Sequence, residues 1–392
     1  MQKANVVYLD KVAANRFPQH YRNAAPTDAE AKLISNAIAI ASKIRNGDGS
    51  STPLFTLGHL ADQTRVNVGL LRKFVARRDE FAYRSFLLKK NGGNRGFRTI
   101  SVPRIELKLV QRWISDQILS HQLKHSASTA YSPGSKLVDA VKPHVECRWL
   151  IKIDITAFFD SISERRVYEV FLKIGYQPLV AFELTRLCTQ LSRETPWRSQ
   201  HRWRNEKSLK YDVIGTYRNM RVGHLPQGAP TSPMLSNLIM WSFDEEMTAL
   251  AKAQGFTYTR YADDIALSTR LQSSRIACEA LIASVYKLIG RFGFAPNLSK
   301  TKLASPNARK IVLGLLVDGP IPQLPKDFRK ELRQHIHYIK RFGANEHAIR
   351  RDFKSVSGMR NYLLGIAYFA RQIDPAYGSA AIEELKSIHW PI

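Results

Sequence analysis

Apolar residues recur at helical spacing over residues 28–45, where Ala31, Ile34, Ile38, Ala41 and Ile44 share one face, so a helix is predicted there. It stops at the flexible run Asn46-Gly47-Asp48-Gly49-Ser50. Leu57, Leu60, Val68, Leu71 and Phe74 predict two short helices, a packed helical hairpin that also fits a helix-turn-helix. The period then changes to two. β-like runs on either side of Asn91-Gly92-Gly93 predict a hairpin over residues 83–103. Leu107, Val110, Trp113, Ile114 and Ile118 return to the helical period over residues 104–123. Leu150, Ile151 and Ile153 read as a buried strand ending at Asp154, with a helix beginning near Thr156. Prolines and small residues at 223–233 predict a rigid loop with Gln227 at its tip, and a helix runs from Met234 toward Leu250. A second hairpin spans residues 259–268, followed by a helix over 273–292 and an apolar strand at 311–317. Phe328, Leu332, Ile336 and Ile339 line one face of a helix starting at Lys326, and a closing helix covers residues 354–370.

Charge changes the picture. The 392 residues carry 59 Lys plus Arg against 33 Asp plus Glu, a formal net charge of +26. A polyanionic partner follows, nucleic acid before an anionic membrane surface. No apolar run is long enough to span a bilayer, and no signal-peptide core opens the chain, so a cytoplasmic protein is expected. Cys147, Cys188 and Cys278 have no zinc or disulfide spacing and are expected as small buried hydrophobes.

The second hairpin places Asp263-Asp264 at its turn. Alone, the pair fits a solvated turn as well as a metal site. Buried like charges repel unless a cation compensates them, and hard oxygen ligands suit magnesium. Asp154 at the end of an apolar strand is a further candidate ligand, whereas Asp160 reads as an N-cap or surface residue. Lys89, Lys90 and Arg98 on the first hairpin suit a triphosphate, or a merely solvated edge. In residues 192–221, Trp197, Arg202, Trp203 and Arg204 interleave basic and aromatic side chains, as phosphate contact plus base stacking requires; a polar surface insertion is the alternative. Arg329, Lys330 and Arg333 make the helix from Lys326 basic on its other faces, a track for a nucleic-acid backbone.

The order of these parts, with Asp154-Ile155-Thr156-Ala157-Phe158-Phe159-Asp160, Leu225-Pro226-Gln227-Gly228-Ala229-Pro230 and Tyr261-Ala262-Asp263-Asp264, resembles a bacterial retron-type reverse transcriptase, including the antiphage defence-associated enzymes. The resemblance runs from about Tyr83 to about Pro375. It implies an α+β right-hand polymerase with fingers, an antiparallel palm and a helical thumb. The division would be an N-terminal helical extension (1–80), fingers (81–145), palm with the basic insertion (146–318), and thumb with C-terminal segment (319–392). By resemblance, Asp154, Asp263 and Asp264 bind two Mg2+ ions, for which Mn2+ substitutes, and Phe159 is the steric gate against a ribose 2′-hydroxyl. Gln227 and Gly228 pack against nucleotide and template, Lys300 stands near the leaving pyrophosphate, and Lys89, Lys90 and Arg98 grip the triphosphate. The implied activity is RNA-directed DNA synthesis from deoxynucleoside triphosphates on a dedicated noncoding RNA, in antiviral defence, with an effector protein as a further partner. Two other readings compete: a polymerase-fold binding module without catalysis, and an RNA-dependent RNA polymerase. The chain departs from the retron pattern at Ala140 and Val141, where Asn and Ala are expected four and three residues before His144, and at Leu313, where Thr is expected.

Overall fold

A computed structural model describes residues 28–46, 51–89, 97–131, 134–191 and 222–391. The chain divides into two compact units, Met1–His125 with Tyr131–Pro133 and Thr156–Ser242, and Ser126–Ala130 with Gly134–Ile155 and Phe243–Ile392.

In the first unit, α1 (Asp28–Asn46) buries Ala41 and Ile44. Helices α2 (Leu57–Thr64) and α3 (Val68–Val75) start where Thr56 and Asn67 side chains accept from His59 N and Leu70 N, satisfying otherwise unpaired first-turn donors. Strands β1 (Tyr83–Lys89) and β2 (Phe97–Pro103) pair antiparallel, as the alternating pattern requires. Helix α4 (Ile105–Ile114) does not continue regularly: Ser115–Leu119 form a π-helical turn closed by Ser120 N donating to Ser115 O at 2.8 Å. That turn lets the adjacent residues Ile118 and Leu119 both be fully buried, which a regular amphipathic helix would not favour. Then come the one-turn α5 (Phe158–Ser161), α6 (Glu164–Ile174), α7 (Pro178–Cys188) and α8 (Ser232–Ile239). The helix expected from Met234 is broken at Met240, which leaves helical geometry (φ −83°, ψ 3°) and buries its side chain.

Between α7 and α8, Gln190 and His224 exchange two backbone hydrogen bonds, N to O, at 3.0 and 2.9 Å. Beneath them lies Glu164, fully buried, with Arg77 Nη2 at 3.0 Å and Arg186 Nη2 at 3.7 Å. Gly223 is required here: a Cβ would sit 2.7 Å from Glu164 Oε2 and 2.8 Å from Gln190 O.

The second unit is built on a four-stranded antiparallel sheet in the order β4-β5-β3-β6, with β3 Trp149–Asp154, β4 Thr257–Tyr261, β5 Asp264–Thr269 and β6 Lys302–Ala304. Its central strands are buried along nearly their whole length, Lys152 and Asp264 being the half-buried positions, because both faces are covered. Helices α9 (Trp241–Ala253) and α10 (Arg275–Arg291) belong to the same stretch of chain. The run at 311–317 is not one strand. It folds as β7 (Ile311–Val312) and β8 (Leu315–Leu316), joined by Leu313 and Gly314 at φ 48° and 84°, a two-residue turn with both central residues at positive φ. Val312, Leu315 and Val317 pack with Leu150, Ala266 and Ala370. A second core joins Leu332, Ile336 and Ile339 of α11 (Lys326–Phe342) to α12 (Ala344–Arg350), α13 (Val356–Ile373) and α14 (Pro375–Ser387). Among the described residues the three cysteines are free and buried, and no helix is long and apolar enough to cross a membrane.

Candidate active site

The register of the sheet brings the acidic residues together. β3 and β5 pair from Trp149 opposite Thr269 to Asp154 opposite Asp264, and β4 closes on β5 with Tyr261 opposite Asp264. Ala262 and Asp263 therefore form the turn, with Ala262 at φ 58° and Ile155 N donating to Asp263 O at 3.1 Å. Like charges directly opposite each other on antiparallel strands destabilise the pair, so packing does not account for Asp154 facing Asp264.

Positive charge meets Asp154 from one turn. Lys300 Nζ lies 2.8 Å from Asp154 Oδ1, and Asn297 Nδ2 lies 3.3 Å from Oδ2. Asn297 N also donates to Asp154 O at 2.7 Å, which ties the turn at Leu298–Lys300 to the end of β3. The one signal in the sequence for Asn297 is its place three residues before Lys300.

The Asp-Asp turn is braced from below by a charge that the sequence does not advertise. Arg260 is fully buried and grips Asp244 of α9 with Nε at 2.8 Å from Oδ1 and Nη2 at 2.6 Å from Oδ2. Its Nη1 donates to Ala262 O at 3.1 Å, inside the turn, and Tyr258 OH donates to Asp244 Oδ1 at 2.7 Å. His144, also buried, bridges the two hairpin strands, Nδ1 to Ser268 Oγ and Nε2 to Thr259 Oγ1, both at 2.7 Å. Burial holds its pKa down to about 4, so the imidazole is neutral there.

The donor atoms at the end of the sheet are hard carboxylate oxygens, which fit magnesium. Among the described residues no group of three or more His, Cys, Asp and Glu side chains stands arranged to hold a metal ion. The protein's share would thus be a few carboxylates, completed by substrate phosphates and water, as is usual for magnesium.

The other expected site residues are distributed over both units. In the first unit, Gln227 O accepts from Ser101 N at 2.7 Å, docking the Gln-Gly loop on β2. Gly228 has φ 112°, and a Cβ there would stand 3.0 Å from Ile100 Cγ2 and 3.2 Å from Ser101 O, so only glycine permits the approach. Arg98 is exposed on β2, opposite Leu88. Phe159 is half-buried beside Tyr131 and Phe158, with ring centroids at 6.3 and 5.4 Å. Asp160 Oδ1 lies 3.3 Å from His224 Nδ1. In the second unit, Arg329 is held by Asp374 at 3.0 Å and stacks over Tyr377, while Lys330 and Arg333 are exposed. Lys89 ends β1, but its side chain lies outside the description, and Lys90, Trp197, Arg202, Trp203 and Arg204 lie outside the described residues.

Residues 88–337 match the family described as reverse transcriptase (RNA-dependent DNA polymerase). The retron Mx162 reverse transcriptase of Myxococcus xanthus is 30% identical over 354 residues, covering 86% of this chain and 68% of that protein. The retron Ec86 reverse transcriptase of Escherichia coli is 29% identical, covering 72% of this chain and 78% of its own length. The retron Ec83 reverse transcriptase of the same organism is 30% identical, covering 74% and 86%. With a family match over well over half of its length and retron enzymes as relatives, the chain belongs to the reverse transcriptases as an RNA-directed DNA polymerase of the retron type.

Proposed function

We propose that this reverse transcriptase copies a dedicated noncoding RNA into DNA by two-metal nucleotidyl transfer, with Asp154 and Asp263 as the principal metal-holding carboxylates and Asp264 supporting them. The observation that carries the reading is the register that sets Asp154 against the Asp263-Asp264 turn, with a lysine ammonium on Asp154. When bound, paired magnesium ions supply the charge that activates the primer 3′-hydroxyl and stabilises the departing pyrophosphate. The chain's own residues do the rest. Asp154 and Asp263 fix the geometry of the reacting phosphate. Lys300 offers a proton to the leaving pyrophosphate oxygen. Arg98, with Lys89 and Lys90, neutralises the triphosphate. Phe159 excludes a ribose 2′-hydroxyl, which favours DNA synthesis over the RNA polymerase alternative. Gln227 and Gly228 place backbone close to nucleotide and template.

In this reading β1 and β2 belong to the fingers, the four-stranded sheet is the palm and α11 begins the thumb, whose Arg329, Lys330 and Arg333 follow the duplex backbone. Trp197, Arg202, Trp203 and Arg204 of the basic insertion hold the RNA partner by stacking and phosphate contact. The biological setting we infer is antiphage defence with an effector protein, from the resemblance to retron enzymes.

One experiment tests the core of this. The parent chain and Asp263→Asn are purified from cells at high salt, and the retained nucleic acid is sequenced. The expected result is one dominant RNA on both proteins, with its DNA copy on the parent alone. A DNA copy on Asp263→Asn at parental yield, or random cellular RNA on both, would refute the reading.

A further inference from the structure

Asp154 is engaged on both of its oxygens within its own unit, Oδ1 by Lys300 and Oδ2 by Asn297. The turn that delivers Lys300 is well braced. Pro296 bridges Ile155, Asn297 N is bonded to Asp154 O, and Lys300 N donates to Asn297 O at 3.1 Å. Ser299 Oγ donates to Asn297 Oδ1 at 2.9 Å, which turns the amide NH2 of Asn297 toward the carboxylate. Tyr286 OH donates to Thr301 Oγ1 at 2.7 Å and anchors the far side of the turn to α10. The Lys300 side chain is 38% exposed and that of Asp154 only 13%. A lysine with that much access to water gives up little by leaving its partner, whereas the carboxylate beneath it is largely shielded by the contact.

We infer that Lys300 is a resident counter-cation of Asp154 that moves to the triphosphate as nucleotide binds, so that metal and nucleotide load the site together. This rests on the reading of Asp154 as a metal-holding carboxylate. A metal ion held by Asp154 would share the carboxylate with an ammonium 2.8 Å from Oδ1, and the two cations repel. Before nucleotide arrives, metal binding therefore has to displace the lysine. A triphosphate offers the ammonium a stronger anionic partner and supplies the remaining oxygen ligands for the metal. Each ligand then favours the other, and linkage makes the coupling reciprocal. Lys300 thus has two stations, the carboxylate and the phosphate, and its pyrophosphate role is the second of them.

The test uses Mn2+ alone as probe, with its binding to the full-length, nucleotide-free and nucleic-acid-free protein followed by electron paramagnetic resonance. Lys300→Met removes the charge and keeps the length of the side chain, and Lys300→Gln is a second neutral variant that keeps polarity. Both should bind Mn2+ about fivefold more tightly than the parent, which corresponds to ~1 kcal/mol for a partly exposed pair. Lys300→Arg should stay near the parent. Introducing Asp154→Asn into Lys300→Met should abolish the gain. Unchanged or weaker binding in both neutral variants overturns the inference. If Asp154→Asn alone still weakens Mn2+ binding in that case, the metal assignment stands without it. A gain that survives Asp154→Asn places the ion elsewhere and overturns both.

Discussion

Asp244→Asn is the sharpest perturbation of the brace under the Asp263-Asp264 turn. Asp244 and Arg260 have fully buried side chains, joined by two hydrogen bonds at 2.8 and 2.6 Å. The substitution keeps shape and one acceptor, so Tyr258 OH retains a partner, but it leaves the guanidinium charge uncompensated away from water. Removing one partner of a buried pair costs about 3–5 kcal/mol. For a unit of this size each kcal/mol lowers the thermal midpoint by about 2–4 °C, so the expected loss is roughly 6–20 °C. Circular dichroism melting measures it. The double variant Arg260→Met with Asp244→Leu should cost less than Asp244→Asn alone, because replacing a whole buried pair with apolar side chains is often near neutral. Because Arg260 Nη1 also holds Ala262 O, the folded fraction of Asp244→Asn should show a lower kcat with KM for nucleotide little changed. A midpoint within about 2 °C of the parent, or a double variant whose loss equals the sum of the singles, would refute the assignment of the pair as a structural brace.

Two other outcomes are expected. Phe159→Ala should admit ribonucleotides, reducing discrimination by roughly 5- to 150-fold, since steric crowding of this kind is worth roughly 1–3 kcal/mol; matched steady-state incorporation of ribo- and deoxynucleotides checks it, and unchanged discrimination would reassign the gate. His144, held down to about 4 by burial, stays neutral in the fold while its unfolded counterpart takes a proton below about 6.5. Stability from this residue is therefore full above about pH 6.5 and is lost as pH falls toward about 4, by up to ~3 kcal/mol; urea midpoints between pH 7 and 4.5 should fall less steeply for His144→Gln, and parallel slopes would show that another group carries the effect.

The parts of the site visible in the sequence are those fixed by local pattern. An apolar run ending in Asp154 reads as a covered strand, and the apolar residues after Asp263-Asp264 as a returning one, and the two pair in the sheet. What was not visible depends on distant partners. Nothing in the sequence pattern marks Arg260, because its partner Asp244, 16 positions earlier, is brought beside it only by the fold. Nor does the pattern mark Asn297, whose partner Asp154 lies 143 positions earlier. The break at Met240 and the tight turn at Leu313-Gly314 arise because buried neighbours select the local geometry, where an apolar run alone suggests a continuous helix or strand.

The paired backbone bonds between Gln190 and His224 have an evolutionary consequence. The chain departs for residues 192–221 and comes back through neighbouring points of one ladder, which the Glu164 contacts with Arg77 and Arg186 keep fixed. Closing a loop between points already held together depends only weakly on its length, about 0.6 kcal/mol for each doubling. Descendants of this gene can therefore lengthen, shorten or replace that stretch with little effect on folding of the rest. Selection on whatever it touches is thereby uncoupled from selection on the carboxylates at the end of the sheet. Ladder positions such as this one are where members of the lineage should differ most in size while Gly223, pressed against Glu164, stays a glycine.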